Sequence, residues 1–445
     1  MRARGAREST PPVSITGTSF ETNYLNITYN DADLNTMLSI RDNPLLKFYQ
    51  LLEEGGSTVE DRFMPAGQRG FSSNLVDAQT ISGNHKNYLT AKFDVPFGKT
   101  EGSIRIPWAD ILRSRKSDSA GAKALDSNVQ TGLDQHGAEL VRLLVGSAGH
   151  SVGLAEWEIT ASGAYPAFAL RFAEPSNARN LQLNDIVQVQ LASETEGTGD
   201  LVVGTGIVIK RSVENGWVQI ADFENDVNTA AAPGAWTDDV NYYVFKIGEF
   251  TDGDSTAMIV PMEKYITSTA ATDTFLNLDR SQDEAYSGIR LTTAESKGTL
   301  SRKCKKIAAK ALGRYTKQNS KKLFLVNPED WDDEESNISA KAGRDVGNET
   351  VEGYQGFEIN TSIGRCTLVS EPAKNKGSVK MLDLGSNGGT KRLRLYTTDG
   401  KLCHFVNPNG DITRLFENSN DLELRPFSMV AHAMGAPWLH GHFDL

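Results

Sequence analysis

The sequence predicts a mixed α+β chain, and three observations carry that prediction. Apolar residues recur at helical steps through a long run near residue 120. They alternate with period two through a series of short runs between about 155 and 250. Beyond about 255, helical and strand-like runs are interleaved.

Taken in order, residues 1 to about 20 read as a flexible basic arm rich in Ser, Thr and Pro, with Arg2, Arg4 and Arg7 near its start. Residues 31–54 are helical in pattern. Leu34, Met37, Leu38, Leu45, Leu46 and Leu52 form the stripe, and Asn43-Pro44 breaks it in two. From 55 to 116 the chain is rich in Gly, Ser and Asn. Between Arg62 and Lys116 it carries nine Lys/Arg against four Asp/Glu. Within this basic segment, "YLTAKFDVPFGKTEGSIRIPW" (88–108) alternates Leu89, Ala91, Phe93, Val95 and Phe97. After Gly98-Lys-Thr-Glu-Gly102 it alternates Ile104, Ile106 and Trp108. That pattern predicts a hairpin with one apolar face, and an isolated hairpin is marginal in water. Its face needs a cover that the neighbouring sequence does not offer.

"SAGAKALDSNVQTGLDQHGAELVRLLVGSAG" predicts a helix over 118–148. Ala122, Leu125, Val129, Leu133, Leu140 and Leu144 lie on one stripe, and Gly137 fills a close-approach position. Gly149 and Gly153 suit its C-terminal cap. From 155 to 250 the runs "AEWEITA", "AFALRFA", "DIVQVQLAS", "TGIVIKRSV", "GWVQIAD" and "NYYVFKIGEF" read as strands of a small sandwich or barrel, with part of a sheet under the long helix. "NGWV" (215–218) marks a hairpin turn. Farther on, "TLSRKCKKIAAKALGRYTKQN" is a basic amphipathic helix and "KKLFLVNP" a buried strand. A second helix opens at Asn327-Pro328, with Asn327 as cap. "GRCTLVSEP", "VKMLDLG" and "RLRLYTT" are strand-like.

Composition narrows the class. The 445 residues correspond to roughly two to four domains. With 46 Lys+Arg against 57 Asp+Glu the net charge is -11, so the chain as a whole repels a phosphate backbone. Cys304, Cys366 and Cys403 are few, odd in number and widely spaced, which argues against a disulfide scaffold and a structural zinc site. No signal peptide is legible and no apolar run is long enough to span a membrane, so a protein made in the cytoplasm is expected.

No motif for chemistry stands out. "GSNGGTK" (385–391) lacks phosphate-loop spacing and reads as a surface turn. His432, His440 and His442 cluster in sequence, but a tight metal site also needs convergent partners and a second shell, and the three read as ordinary histidines. "WDDEE" (331–335) lacks calcium-loop spacing and reads as an acidic first helical turn. The acids around Asp279, Asp283 and Glu284 match no glycosidase signature. No cofactor, metal or catalytic residue is expected.

The order of elements is the informative feature. A basic arm, a helix, a long hairpin arm, a long helix, a β region, an α+β region and a returning C-terminal strand follow one another. Local stretches have the same texture: "RDNPLLKFYQLLEEGG", "FLNLDRSQDEAYSGIRL", "LFLVNPEDWDD" and "LELRPFSMVAHAMGAPWLHGHF". In this the chain resembles the major capsid proteins of tailed bacteriophages with the Hong Kong 97-type fold. The resemblance implies an N-terminal arm and helix (1–54), an extended loop (55–116), a spine helix of the peripheral domain (117–154), a β-rich inserted barrel domain with peripheral strands (155–250), an axial domain (251–425) and a return strand (426–445). It also implies a structural protein of the virion, assembled in the host cytoplasm from hexamers and pentamers of itself around double-stranded DNA. Its other partners would be a separate scaffolding protein, a portal and a decoration protein, with no membrane.

On that basis Phe93, Val95, Phe97, Ile104, Arg105, Ile106, Trp108, Arg113, Arg115 and Lys116 are expected at the subunit interface, where the acidic body of a neighbour attracts the basic arm. Arg2, Arg4 and Arg7 form a candidate DNA-facing arm. Lys86, Lys92 and Lys99 match no cross-linking motif, and no cross-link is predicted. Two alternatives remain: a shell protein of an encapsulin-type bacterial compartment, and a soluble β-rich hydrolase with the arm as a lid.

Overall fold

In the computed structural model the described residues are 44–63, 91–107, 120–161, 165–224, 229–250, 259–282, 284–312, 320–333, 349–351, 354–361, 364–386, 392–405, 413–415 and 422–445. A 3-10 turn at Pro44–Phe48 is followed by β1 (Gln50–Glu53), β2 (Thr58–Phe63), β3 (Ala91–Pro96), β4 (Gly98–Glu101), β5 (Ile104–Ile106) and helix α1 (Ala120–Val145). Next come β6 (Gly153–Glu158), β7 (Ala169–Phe172), β8 (Ile186–Leu191), β9 (Gly206–Ser212), β10 (Trp217–Asp222) and β11 (Val240–Lys246). The single turn α2 (Met262–Tyr265) precedes β12 (Thr274–Phe275), β13 (Leu278–Asp279), β14 (Ile289–Arg290) and helix α3 (Leu300–Leu312). The remaining strands are β15 (Ser320–Val326), β16 (Glu349–Val351), β17 (Tyr354–Thr361), β18 (Gly364–Ser370), β19 (Ser378–Ser386), β20 (Leu393–Thr397), β21 (His404–Phe405), β22 (Thr413–Leu415), β23 (Leu422–Leu424), β24 (Pro426–Met434) and β25 (Gly441–Asp444).

The chain divides into two compact units. The described residues of the first come from Glu101–His136 and Lys401–Ser428; the second holds Ser39–Thr100, Gly137–Gly400 and Met429–Leu445. In the first unit, β5 pairs antiparallel with β23, and β23 with β22. Ile104 faces Leu424 and Ile106 faces Leu422, which sets two apolar cross-strand pairs side by side. The N-terminal part of α1 lies over this small sheet. A Cβ on Gly132 would come within 2.5 Å of Ile104 Cδ1, so glycine is what permits the approach. His136 and Ser428 share a hydrogen bond of 2.8 Å in the same unit.

In the second unit the six strands β6 to β11 close into a barrel in the order β10-β7-β6-β11-β8-β9. Their alternation sends Trp157, Leu170, Val187, Val189, Val208, Val218, Ile220 and Tyr242 inward. Trp157 and Trp236 meet edge to face, 5.1 Å between ring centroids. The hairpin turn expected at 215–218 joins β9 to β10, and Gly216 takes φ 68° there. All six runs go into the barrel itself, so none extends a sheet under α1 as expected.

The same unit holds a seven-stranded mixed sheet, β14-β25-β19-β15-β18-β17-β16. Helix α3 packs on one face, where Cys304, Ile307, Ala308 and Ala311 meet Phe324, Val326, Met381 and Phe443. The expected cap holds: Asn327 Oδ1 accepts the Glu329 N–H at 3.0 Å, at the start of a helical turn over residues 328–333.

Two local expectations are corrected. Residues 44–54 do not continue a helix. Pro44 opens a 3-10 turn, and Gln50–Glu53 become β1 because β20 offers a parallel partner, with Leu52 opposite Tyr396. Residues 31–43 lie outside the described residues. Helix α1 ends at Val145, with the Gly146 N–H still bonded to the Arg142 carbonyl at 2.8 Å. Gly149 and Gly153 sit past that end, packed against Glu196 and Asn177.

Candidate functional site

The basic segment was expected to present its apolar face to a neighbouring subunit. The structure corrects the pairing first. β3 and β5 do not form a hairpin with each other. β3 pairs antiparallel with β2, Val59 opposite Val95 and Asp61 opposite Phe93, while β5 pairs with β23. Of the expected turn, Gly98 to Gly102, all but the last residue is strand β4.

The cover comes from the chain itself. Phe93 and Val95 are fully buried. The Phe93 ring packs edge-on against Tyr265 at 5.2 Å and Phe275 at 5.7 Å. Tyr265 continues the stack to His432 at 5.6 Å, and His432 to Tyr49 at 5.4 Å. The polar tips of this stack are tied in. The Tyr265 hydroxyl donates to the His432 carbonyl at 2.7 Å, and the His432 Nδ1–H donates to the Val260 carbonyl at 2.6 Å. His432 Nε2 is left to accept from the Tyr49 hydroxyl at 3.1 Å. Beside Phe93, Asp61 is buried and paired with Arg394. Burial pushes its carboxyl up, and the Arg394 charge and the Tyr396 hydroxyl offset part of that push. Ile104 and Ile106 are likewise buried, in the first unit.

Four of the expected interface residues, Phe93, Val95, Ile104 and Ile106, therefore belong to the core of a single chain. Of the others, Phe97 is half-buried and Arg105 is exposed. Trp108, Arg113, Arg115 and Lys116 lie outside the described residues, as do Arg2, Arg4, Arg7 and Lys86. Lys92 and Lys99 reach solvent, and Lys92 pairs with Glu60 and Asp94 on the outer face of the β2-β3 ribbon.

The histidine cluster has a structural explanation. His440 Nδ1 accepts the Asp383 N–H at 3.1 Å, and its Nε2–H donates to the Gly435 carbonyl at 3.1 Å. His442 Nε2 meets Asp444 at 3.0 Å. Burial depresses His432 and His440 to about 4 and His442 to about 2. Among the described residues, no three His, Cys, Asp or Glu side chains converge to hold a metal. No helix among them is long and apolar enough to cross a membrane. The glycine run of 385–391 is described only at Gly385 and Ser386, the end of β19.

Among the described residues, buried charged side chains fasten elements to one another. Asp383 and Lys322 are a fully buried pair on neighbouring strands, with Arg392 as a second cation on Asp383. Lys380, also fully buried, pairs with Glu263 at 2.5 Å and donates to the Ile266 carbonyl at 2.7 Å, which fastens α2 to the sheet. At the end of α1, Arg142 bridges Glu139 and Glu249, and Lys246 of β11 pairs with Glu139 at 3.0 Å and Asp185 at 3.4 Å. These pairs tie helix and barrel together.

Sequence reasoning passed over the exposed apolar residues on the barrel connections: Val203 (75% exposed), Leu183 (54%) and Ile247 (52%). Val203 and Leu183 lie outside the alternating runs, and Ile247 lies in the tail of "NYYVFKIGEF", one residue past the end of β11. Their signal was an apolar residue among turn-forming neighbours, as in "LVVGTG" around Val203.

No family model and no curated protein sequence matches this chain. Solved structures do. A chain of the satellite phage P4 procapsid, which includes the size determination (Sid) protein, is 11% identical, with 96% of each chain covered and a TM-score of 0.41. A chain from the phage G gp27 major capsid proteins and gp26 decoration proteins is 7% identical over 89% of this chain and 88% of that one, at 0.39. A chain of the capsid of Ralstonia phage GP4 is 9% identical, covering 100% of this chain and 95% of that one, at 0.38. With TM-scores below 0.5, function has to be argued from the elements of the chain itself.

Proposed function

We propose that this chain is the major capsid protein of a tailed double-stranded DNA bacteriophage, a structural protein whose activity is self-association. The observation that carries the reading is the order of elements. A long basic segment leads into a 26-residue helix, a closed barrel, a mixed sheet with one packed helix, and a final strand that returns to that sheet. At ~1.5 Å per residue the helix is about 39 Å long, enough to serve as a spine. The barrel is then an inserted domain on the basic architecture.

In this proposal hexamers and pentamers of the chain enclose the genome with the help of separate scaffolding, portal and decoration proteins. The neighbour is contacted by Phe97, Arg105, Trp108, Arg113, Arg115 and Lys116. Phe93 and Val95 hold β3, next to Phe97, and Ile104 and Ile106 hold β5, which carries Arg105. Val203, Leu183 and Ile247 are further contact positions, since burying exposed apolar side chains on association is favourable. Arg2, Arg4 and Arg7 face the DNA.

Negative-stain microscopy of the purified chain, alone and co-expressed with neighbouring phage genes, tests the reading. Shells, tubes or rings of six are expected. A dispersed monomer under both conditions would overturn it, and particles filled with protein cargo rather than DNA would favour a bacterial compartment.

A further inference from the structure

Exposed apolar side chains occur at both ends of the barrel, and charge tells the two ends apart. At one end Leu183 and Ile247 lie beside Lys246, which pairs with Asp185 and Glu139. The other end is where β8 and β10 finish and β9 and β11 begin. There Val203 is 75% exposed and Phe223 is 40% exposed. Backbone hydrogen bonds hold their segments side by side. The Phe223 N–H donates to the Thr205 carbonyl at 3.0 Å, and the Ala235 N–H to the Val203 carbonyl at 2.8 Å. Residues 192–206, 221–224 and 229–241, which build this end, contain seven Asp or Glu and no Lys or Arg. Asp200, Glu224 and Asp239 are exposed; Asp238 is half-buried and accepts the Ile159 N–H at 2.6 Å. No ion pair joins these four to a Lys or Arg among the described residues. Apolar side chains with an acidic rim of one sign select a partner that is apolar and basic at once.

We infer that this end of the barrel docks residues 108–116 of a second copy of the chain. That stretch, "WADILRSRK", sets Trp108, Ile111 and Leu112 ahead of Arg113, Arg115 and Lys116. It lies outside the described residues, and its composition is what matches the site. The three apolar side chains cover Val203 and Phe223, and the three cations meet Asp200, Glu224, Asp238 and Asp239. The dense cation run of α3, residues 302–306, is engaged at home: Lys303 donates to the Asp444 carbonyl and Lys306 to the Glu295 carbonyl. Burial of the apolar side chains supplies the larger part of the affinity, and the charges supply register and encounter rate. The inference rests on the self-association reading and adds to it which surface of one copy takes which segment of the next.

The test is fluorescence anisotropy of a labelled peptide of residues 107–118, titrated with the full chain kept dilute and unassembled by the criterion of sedimentation. Saturable binding is expected, weakening at least about five-fold between about 0.05 and about 0.5 M salt. Val203→Asp puts a charge into the apolar contact and should weaken binding at least about ten-fold with the melting temperature retained. Leu183→Asp, at the opposite end of the barrel, should leave binding unchanged. A peptide carrying Arg113→Gln, Arg115→Gln and Lys116→Gln should bind at least about five-fold more weakly and lose the salt dependence. If Val203→Asp melts early, the peptide variants still decide. No binding, equal weakening by the two Asp variants, or equal binding of a scrambled peptide overturns the site. Binding that appears only when the chain's own Arg113, Arg115 and Lys116 are replaced by Gln shows the site filled from within one copy, and overturns the second-copy assignment. Microscopy answers separately. Particles without peptide binding leave the capsid reading standing and remove the docking; peptide binding without particles supports the docked pair and removes only the shell.

Discussion

Phe93 was legible as an apolar strand residue, but its partner was not. Alternation along 91–97 fixes which side chains share a face, because successive Cβ atoms point to opposite sides of a strand. It says nothing about which distant rings cover that face, and Tyr265 and Phe275 lie some 170 to 180 residues away in sequence. The distinction is measurable. Phe93→Ala is expected to lower the unfolding free energy in urea by about 3–5 kcal/mol, the range for deleting a buried aromatic. Phe97→Ala, at a half-buried position, should cost under about 1.5 kcal/mol and reduce particle yield instead. A Phe93→Ala chain as stable as the parent would return that residue to the interface.

Among the elements, α1 and the six barrel strands were legible as elements, with ends that shift by up to about four residues, since a repeated period marks the body of an element better than its ends. The short strands were not. β5 is three residues long and exists because β23 pairs with it. The Gly132–Ile104 approach is a sensitive point of that packing. Gly132→Ala puts a Cβ where Ile104 already is, and should cost about 1–3 kcal/mol despite alanine's better helix propensity. Ile104→Val in the same chain should recover part of that loss in a thermal melt. The final strands carry a pH dependence. His432 and His440 fall from 6.5 to about 4 on folding, because burial disfavours the imidazolium; Asp383 pulls His440 the other way, and Arg392 and Lys322 reinforce the fall. Between about pH 6.5 and about pH 4 the unfolded chain binds the extra protons. Stability is therefore intact above that window and falls as the pH drops through it, by at most about 3 kcal/mol per histidine. Urea midpoints taken across the window should decline with acid, and His432→Gln should make the decline shallower. A flat profile in the parent would refute the assignment.

At the scale of the whole molecule, a net charge of -11 with a locally basic segment favours association in which one copy's cations meet another's acids. Arg105 is exposed between two buried isoleucines, in register opposite Glu423 of β23. Arg105→Glu is expected to leave the melting temperature within a few degrees and to lower the rate and yield of particle assembly, with the parent's advantage shrinking in high salt. Sedimentation velocity and light scattering at two ionic strengths would measure both. An assembly rate unchanged by the reversal would remove Arg105 from the contact.

By itself the sequence determined the α+β class, the spine-length helix, the strands of the barrel and the Asn327 cap. Each of these rests on local periodicity or on a side chain's own chemistry. Tertiary structure alone decided that Leu52 belongs to a strand, that β3 and β5 part company, and that the apolar face of the basic segment is covered from within. Strand pairing and ring stacking join residues far apart in the chain, and the energy of a long-range contact appears in no local pattern.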